Sequence, residues 1–383
     1  MVKKVILNRM ATMNTLLFGN GINIQYGGKD NLNKNIILRA IESINIDDFP
    51  KHIIVDEPEL ILSLLGYLFL EVRSLLSHKY DNYAFTTEQK SALNDFIHRY
   101  EKYDSLTIAD IGFEDYYLIY DLFCYKKRIN NPDKYYMREA LKSLFLFSIY
   151  NRGKVNEIYN HFPASLKDYF RSFDYIFTTN YDRNVELFSE RDVYYLHGAF
   201  HIKADVYNPQ SLRNHLSDSP MKDYVIDEDY FYLYSNALTS YSGNSKLFLI
   251  KQGMQANEAI KNIALAYQDN PIVKKSVDEW EEDTNELTRK LAEATILKWN
   301  NPELQFDETY PIKEFENIKD NIVIVGLSPN NDTHIFSMIN NNPNINKVDY
   351  FFYLEEEKEQ INNLLTNHTV NCYDVRSLWE SYR

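Results

Sequence analysis

The sequence predicts an α/β protein: a Rossmann-like parallel sheet with large helical insertions. Three observations predict it. Short apolar runs fall toward the two ends of the 383-residue chain, each breaks off at glycine or a small polar cluster, and the stretches between carry helical patterns. Near-continuous apolar strands separated by helices are the signature of a parallel sheet covered on both faces.

Taken in order, Thr15 to Phe18 is the first strand and runs straight into Gly19-Asn20-Gly21. About 150 residues then intervene, too many for one crossover helix. In that stretch Glu57 to His78 is apolar almost all round, with Asp56 placed to cap it and Pro58 at a tolerated early position. Thr86-Thr87-Glu88-Gln89 fits a capping box, with Phe85 available as a staple for a helix to Tyr103. Phe113 to Arg128 and Pro132 to Tyr150 are further amphipathic helices. Phe173 to Thr178 and Val193 to Leu196 are the next strands, ending at Thr179-Asn180-Tyr181-Asp182 and at His197-Gly198. A polar stretch becomes helical from Asn257 to Trp299, and its acidic segment Asp278 to Asp283 reads as a solvated helix face. Asn321 to Val325 ends at Gly326-Leu327-Ser328, and Val348 to Leu354 and Thr369 to Tyr373 complete the set. The expected division is a core of 1–28, 171–200 and 313–383, a helical insertion over 29–170, and a loop-plus-helical insertion over 201–312.

Composition narrows the function. With 41 Lys plus Arg against 55 Asp plus Glu, the net charge of −14 argues against direct nucleic-acid binding through phosphates. Cys124 and Cys372 alone cannot build a four-cysteine zinc module or a disulfide framework. No apolar segment reaches the ~18 to 20 residues of a membrane helix. Met1 to Asn14 lacks the apolar core and cleavage site of a secretory signal, so a cytoplasmic location is expected. The 31 tyrosines are a hint of aromatic surfaces for assembly.

The polar motifs all follow strand ends, where ligands bind in open parallel sheets. Gly19-Asn20-Gly21-Ile22-Asn23 is either a tight turn or a place where backbone N–H groups approach a phosphate. It is not a P-loop, because no Gly-Lys-Ser/Thr follows. Asp182 is either a helix N-cap or, with Asn180, a ligand-facing group at the sheet edge. His197 is either a satisfied structural residue or a catalyst with room beside Gly198. Ser328 either caps a helix starting near Asn330 or joins an anion site. His201 and His334 are not spaced with His197 as metal ligands, and no metal is expected.

In this order, Gly19-Asn20-Gly21, Thr178-Thr179-Asn180-Tyr181-Asp182, His197-Gly198 and Gly326-Leu327-Ser328 resemble the sirtuin-like (silent information regulator) NAD-binding family. The match covers the sheet-forming parts, under half of the chain. The absent zinc module, and Gly-Asn-Gly-Ile-Asn in place of Gly-Ala-Gly-Ile-Ser, look like the prokaryotic branch of anti-phage defence, whose members hydrolyse NAD. The resemblance implies that Gly19, Gly21 and Ser328 hold the pyrophosphate, with Gly326 also in the nucleotide site. Asn20, Ile22, Asn23, Thr179 and Gly198 would complete the nucleotide site, with Ile22 and Asn23 on the nicotinamide-ribose side. Glu355 would accept from adenosine ribose hydroxyls, and Tyr373 and Asp374 would flank adenine. Asn180, Asp182 and His197 would be catalytic. It further implies NAD as substrate and a partner such as a HerA-type ATPase; the two long helical insertions and the tyrosine content lead to an expected homo-oligomer.

Overall fold

The computed structural model describes residues 12–52, 58–131, 133–208, 211–216, 226–240 and 243–383. The expected signal-free start up to residue 11, the Asp56 cap, and parts of the polar stretch between 209 and 242 lie outside the described residues. Among the described residues, six strands form one all-parallel sheet in the order β3-β2-β1-β4-β5-β6. They are β1 (Asn14–Phe18), β2 (Tyr175–Thr178), β3 (Tyr194–Tyr195), β4 (Asp320–Val325), β5 (Ile345–Phe352) and β6 (Val370–Asp374). The α/β Rossmann-like fold with helical insertions is the fold of this chain.

Two compact units divide the chain. The first comprises 1–27, 157–196 and 311–383 and carries the whole sheet. Its central strand is buried on both faces: Thr15, Leu16 and Leu17 are fully enclosed and Phe18 nearly so, as a two-sided parallel sheet requires. Over one part of this unit Tyr26, Phe162, Phe170, Phe188 and Trp379 pack edge to face, with neighbouring centroids 5.0 to 6.3 Å apart. Elsewhere Phe177 of β2 meets Phe315 at 5.1 Å. The chain from Glu157 to Arg171 packs here too, because its short helical turns lie against the helices Gly21–Gly27 and Asn184–Ser189. This places 157–170 with the sheet, and the unit ends at Leu196 rather than at residue 200.

The second unit comprises 28–156 and 197–310 and is helical. Pro58–Leu76, Thr87–Tyr100, Phe113–Lys127 and Asp133–Tyr150 follow the expected amphipathic stretches. The expected helix from Asn257 to Trp299 is three helices, Asn244–Asp269, Pro271–Trp280 and Glu286–Asn300. Asn270 and Asn285 each cap the helix that follows and so divide the run. Tyrosine supplies core as well as surface in this unit. Tyr80, Tyr116, Tyr117 and Tyr120 are enclosed, and Tyr116 and Tyr120 donate to the carbonyls of Ile108 and Lys134 at 2.6 Å. No helix of the described residues is long and apolar enough to cross a membrane.

The capping box at Thr86 forms as its sequence requires. Thr86 Oγ1 accepts from Gln89 N at 3.1 Å, and Gln89 Oε1 accepts from Thr86 N at 3.3 Å. Phe85 meets Tyr125 edge to face, with ring centroids 5.1 Å apart. Thr86→Ala is expected to cost about 1 kcal/mol, read as a lower urea midpoint with an unchanged slope.

Candidate functional site

The site-forming residues of the sheet unit gather at the carboxyl ends of β1, β2 and β4. β1 lies between the other two, and the strand order reverses there. Behind β1, Gly19 continues the ladder by donating to Val325 O at 3.0 Å, and Gly21 N donates to Gly326 O at 2.9 Å. The turns after β1 and β4 thus touch backbone to backbone. A Cβ on Gly21 would sit 2.4 Å from Gly326 Cα, and one on Gly326 would sit 2.8 Å from Gly21 Cα. Gly326 also holds φ +70°, a conformation that glycine adopts freely. Gly19 and Gly21 therefore shape the floor of the site, and their N–H groups are committed to β4. Tyr350 of β5 fixes the second turn from the far side, donating to Leu327 O at 2.9 Å.

Ser328 is half-buried at the rim. Its Oγ accepts from Asn330 N at 3.3 Å, and its carbonyl accepts from Asn331 N and Asp332 N. The helix after it runs Thr333–Asn340, a few residues later than the sequence suggests, because this turn occupies the intervening residues. Thr179 N continues the β1–β2 ladder by donating to Phe18 O at 3.2 Å. Asn180 is buried; its N–H bonds Thr178 Oγ1 at 2.9 Å, and its Nδ2 reaches Gly19 O at 3.4 Å. Asn20 is exposed at the lip.

Beneath this lip lies a closed polar network. Asn23 Nδ2 donates to Asp182 Oδ2 at 2.6 Å. Asn184 donates to Asp182 Oδ1 through both its backbone N (3.0 Å) and its Nδ2 (2.6 Å). Asn184 Nδ2 also lies 3.3 Å from Asn23 Oδ1. The polarity of the set is dictated from outside, since the backbone N–H of Tyr159 donates to Asn184 Oδ1 at 3.1 Å. That fixes the Asn184 amide, which fixes Asn23, which leaves both oxygens of Asp182 accepting. Burial pushes the Asp182 pKa above the usual carboxylate range, while the donors from Asn23 and Asn184 pull it back. Of the two expected alternatives for Asp182, the structure shows the capping one: Asp182 Oδ1 accepts from Asn184 N just outside the helix Asn184–Ser189, and its two oxygens also hold the Asn23 and Asn184 amides.

Ile22 and Asn23 are buried, Ile22 in apolar packing and Asn23 in this network. Asn184 is the residue that sequence reasoning missed. Its signal was present in the Asx repeat Asn180, Asp182, Asn184, whose alternate members fall together after a strand end. His334 was given no role; it is 1% exposed in the first turn of its helix, with a ring nitrogen within 4.8 Å of the Asp332 carboxylate.

Glu355 and Asp374 follow β5 and β6 and are ion-paired locally, Glu355 with Lys358 and Asp374 with Arg376, each at 2.7 Å. Asp374 also caps its helix through Arg376 N at 2.8 Å. Tyr373 packs its ring 5.4 Å from Phe351. His197 and Gly198 open the second unit, where His197 is 1% exposed and its carbonyl accepts from Leu238 N at 2.8 Å. Gly198 has φ +78°, and a Cβ there would lie 2.3 Å from Asn236 O. The space left by its missing side chain is thus taken by the Asn236 backbone, not kept open beside the histidine.

Chemically, the sheet edge offers a rim of small polar groups over a floor of touching backbone, and Arg183, which follows Asp182, is paired with Glu186. Such a surface suits a ligand held by hydrogen bonds and shape. No protein-family model, curated protein or solved structure matches the chain.

Proposed function

We infer that the chain is an NAD glycohydrolase, cleaving NAD to nicotinamide and ADP-ribose. One observation carries the reading: the polar turns after β1, β2 and β4 flank the reversal in a 3-2-1-4-5-6 sheet. That strand order and that crevice are where dinucleotides bind in open α/β sheets. The motif order that resembles the sirtuin-like family supports NAD as the dinucleotide.

In this reading, nicotinamide leaves with the electron pair of the glycosidic bond, and positive charge builds on the ribose. Asn180 positions the ribose and the attacking water from its place between the β1 and β2 turns. Asp182 acts as a positioning residue, holding the Asn23 and Asn184 amides. His197 takes the proton released as water adds, a role worth roughly 10²- to 10⁴-fold. The protein would act in the cytoplasm in anti-phage defence, depleting NAD within a complex that includes a partner such as a HerA-type ATPase.

The test is nicotinamide release from NAD by the full chain, alone and with candidate partners. His197→Ala and Asn180→Ala are each expected to lower turnover by about 100-fold. Full turnover in either variant overturns its catalytic role. The occupied oxygens of Asp182 favour one second reading, a sensor that binds NAD or ADP-ribose without turnover. Tight nucleotide binding with no nicotinamide under every activating condition would select it.

A further inference from the structure

The helix Pro58–Leu76 leaves an unexplained face. Its core side is well used, with Ile61, Leu65, Leu68, Val72 and Leu75 enclosed. On the outer side Leu60, Tyr67 and Leu70 are 61%, 64% and 70% exposed. Gly66, half-buried, stands midway along the helix and about a quarter turn around from the centre of that side, with nothing within 4 Å of the position its Cβ would take. A mid-helix glycine lowers helix propensity, and nothing in its own unit requires the missing side chain. Close approach by another backbone would require it.

Charge gives the second observation. Glu59, Gly66 and Arg73 are seven residues apart, about two turns each, and so fall on one line along the helix. Glu59 and Arg73 are exposed, and neither makes a salt bridge among the described residues. An antiparallel copy of the helix, turned about a two-fold axis through Gly66, sets Glu59 opposite Arg73 of the second copy, twice. Leu62, Ser63 and Leu70 flank the same line and meet their counterparts across it. This is the self-complementary pattern that a two-fold interface demands.

We propose that this face is an interface between two copies of the chain, paired antiparallel about Gly66. The occupant is a second copy, because an unrelated partner would not need opposite charges placed symmetrically about a glycine. The pairing draws on none of the residues at the sheet edge and stands apart from the catalytic reading. Apolar helix faces of this kind mark association sites, and the outer turns place Leu70 in reach of Leu62 of the second copy.

Light scattering of the full chain at micromolar concentration tests it. The wild-type mass is expected to be an even multiple of 45.4 kDa. Glu59→Arg alone and Arg73→Glu alone each set like charges against each other twice, and each is expected to halve the mass. Mixing the two single variants, or combining both changes in one chain, restores the opposite-charge pairs and is expected to restore the mass. Gly66→Leu fills the space that the close approach needs and is expected to halve the mass as the single charge variants do. Circular dichroism melts check that each variant is folded. A monomeric wild type, single charge variants that keep the wild-type mass, or a Gly66→Leu chain that keeps the wild-type mass would each overturn the proposal.

Discussion

Replacing Gly326 by alanine is expected to destabilise the sheet unit by about 2 to 5 kcal/mol, the sum of two effects. A left-handed φ costs a residue with a Cβ roughly 1 to 2 kcal/mol, and overpacking adds about 1 to 3 kcal/mol. The second effect is large here because the obstruction is backbone. The new methyl would meet Gly21 Cα at 2.8 Å and Gly21 N at 3.0 Å, and neither can rotate away. Gly28→Ala separates the two effects. Gly28 has φ +80° but nothing within 4 Å of its Cβ position, so it should lose only the conformational part. Urea unfolding of the three proteins is the measurement. Gly326→Ala as stable as Gly28→Ala would mean that the β1 and β4 turns do not touch as described.

Asp182→Ala is the second large effect. It would strand three N–H donors, from Asn23 Nδ2, Asn184 N and Asn184 Nδ2, in an enclosed site. At roughly 1 to 3 kcal/mol for each buried donor left unpaired, the three together give a loss of about 3 to 9 kcal/mol. Asp182→Asn is the more discriminating variant. Its amide has one oxygen, so its NH₂ must face a donor unless a neighbour flips. Asn23 cannot flip without Asn184, and Asn184 cannot flip without losing Tyr159 N. Asp182→Asn should therefore lose about 1 to 3 kcal/mol despite its near-identical shape. A variant as stable as wild type would show that the Tyr159 bond does not set the polarity of the network.

Both predictions rest on relations between distant parts of the chain, and that is where legibility in the sequence ended. The strands could be read because their cause is local: runs such as Leu16-Leu17-Phe18 and Ile322 to Val325 declare two-sided burial wherever they sit. Thr86 and Gln89 declare a cap for the same reason. The meaning of the glycines is not local. Gly21 looks like room for a phosphate until Gly326 is known to be its neighbour, and Gly198 looks like room for a histidine until Asn236 is. Asn184 was passed over because its role is fixed by Tyr159, which precedes it by 25 residues in an irregular stretch. β3 shrank to two paired residues, and β5 gained Ile345 to Lys347, because strand length depends on a neighbour's register as much as on the strand's own composition.

The central strand has one more consequence, for how the chain is made. β1 is made well before its sheet partners, which follow it by 160 residues in β2 and 307 residues in β4. Pairing so remote in sequence is slow, since chain closure precedes any reward from contact. Helix pairs such as Phe113–Lys127 with Asp133–Tyr150 need no such wait. During synthesis the helical unit can therefore consolidate while Leu16, Leu17 and Phe18 remain unpaired. The apolar strand stays a liability for aggregation until β2 and β4 are available to pair with it. Refolding from urea should accordingly show a fast helical phase and a slow phase reporting the sheet.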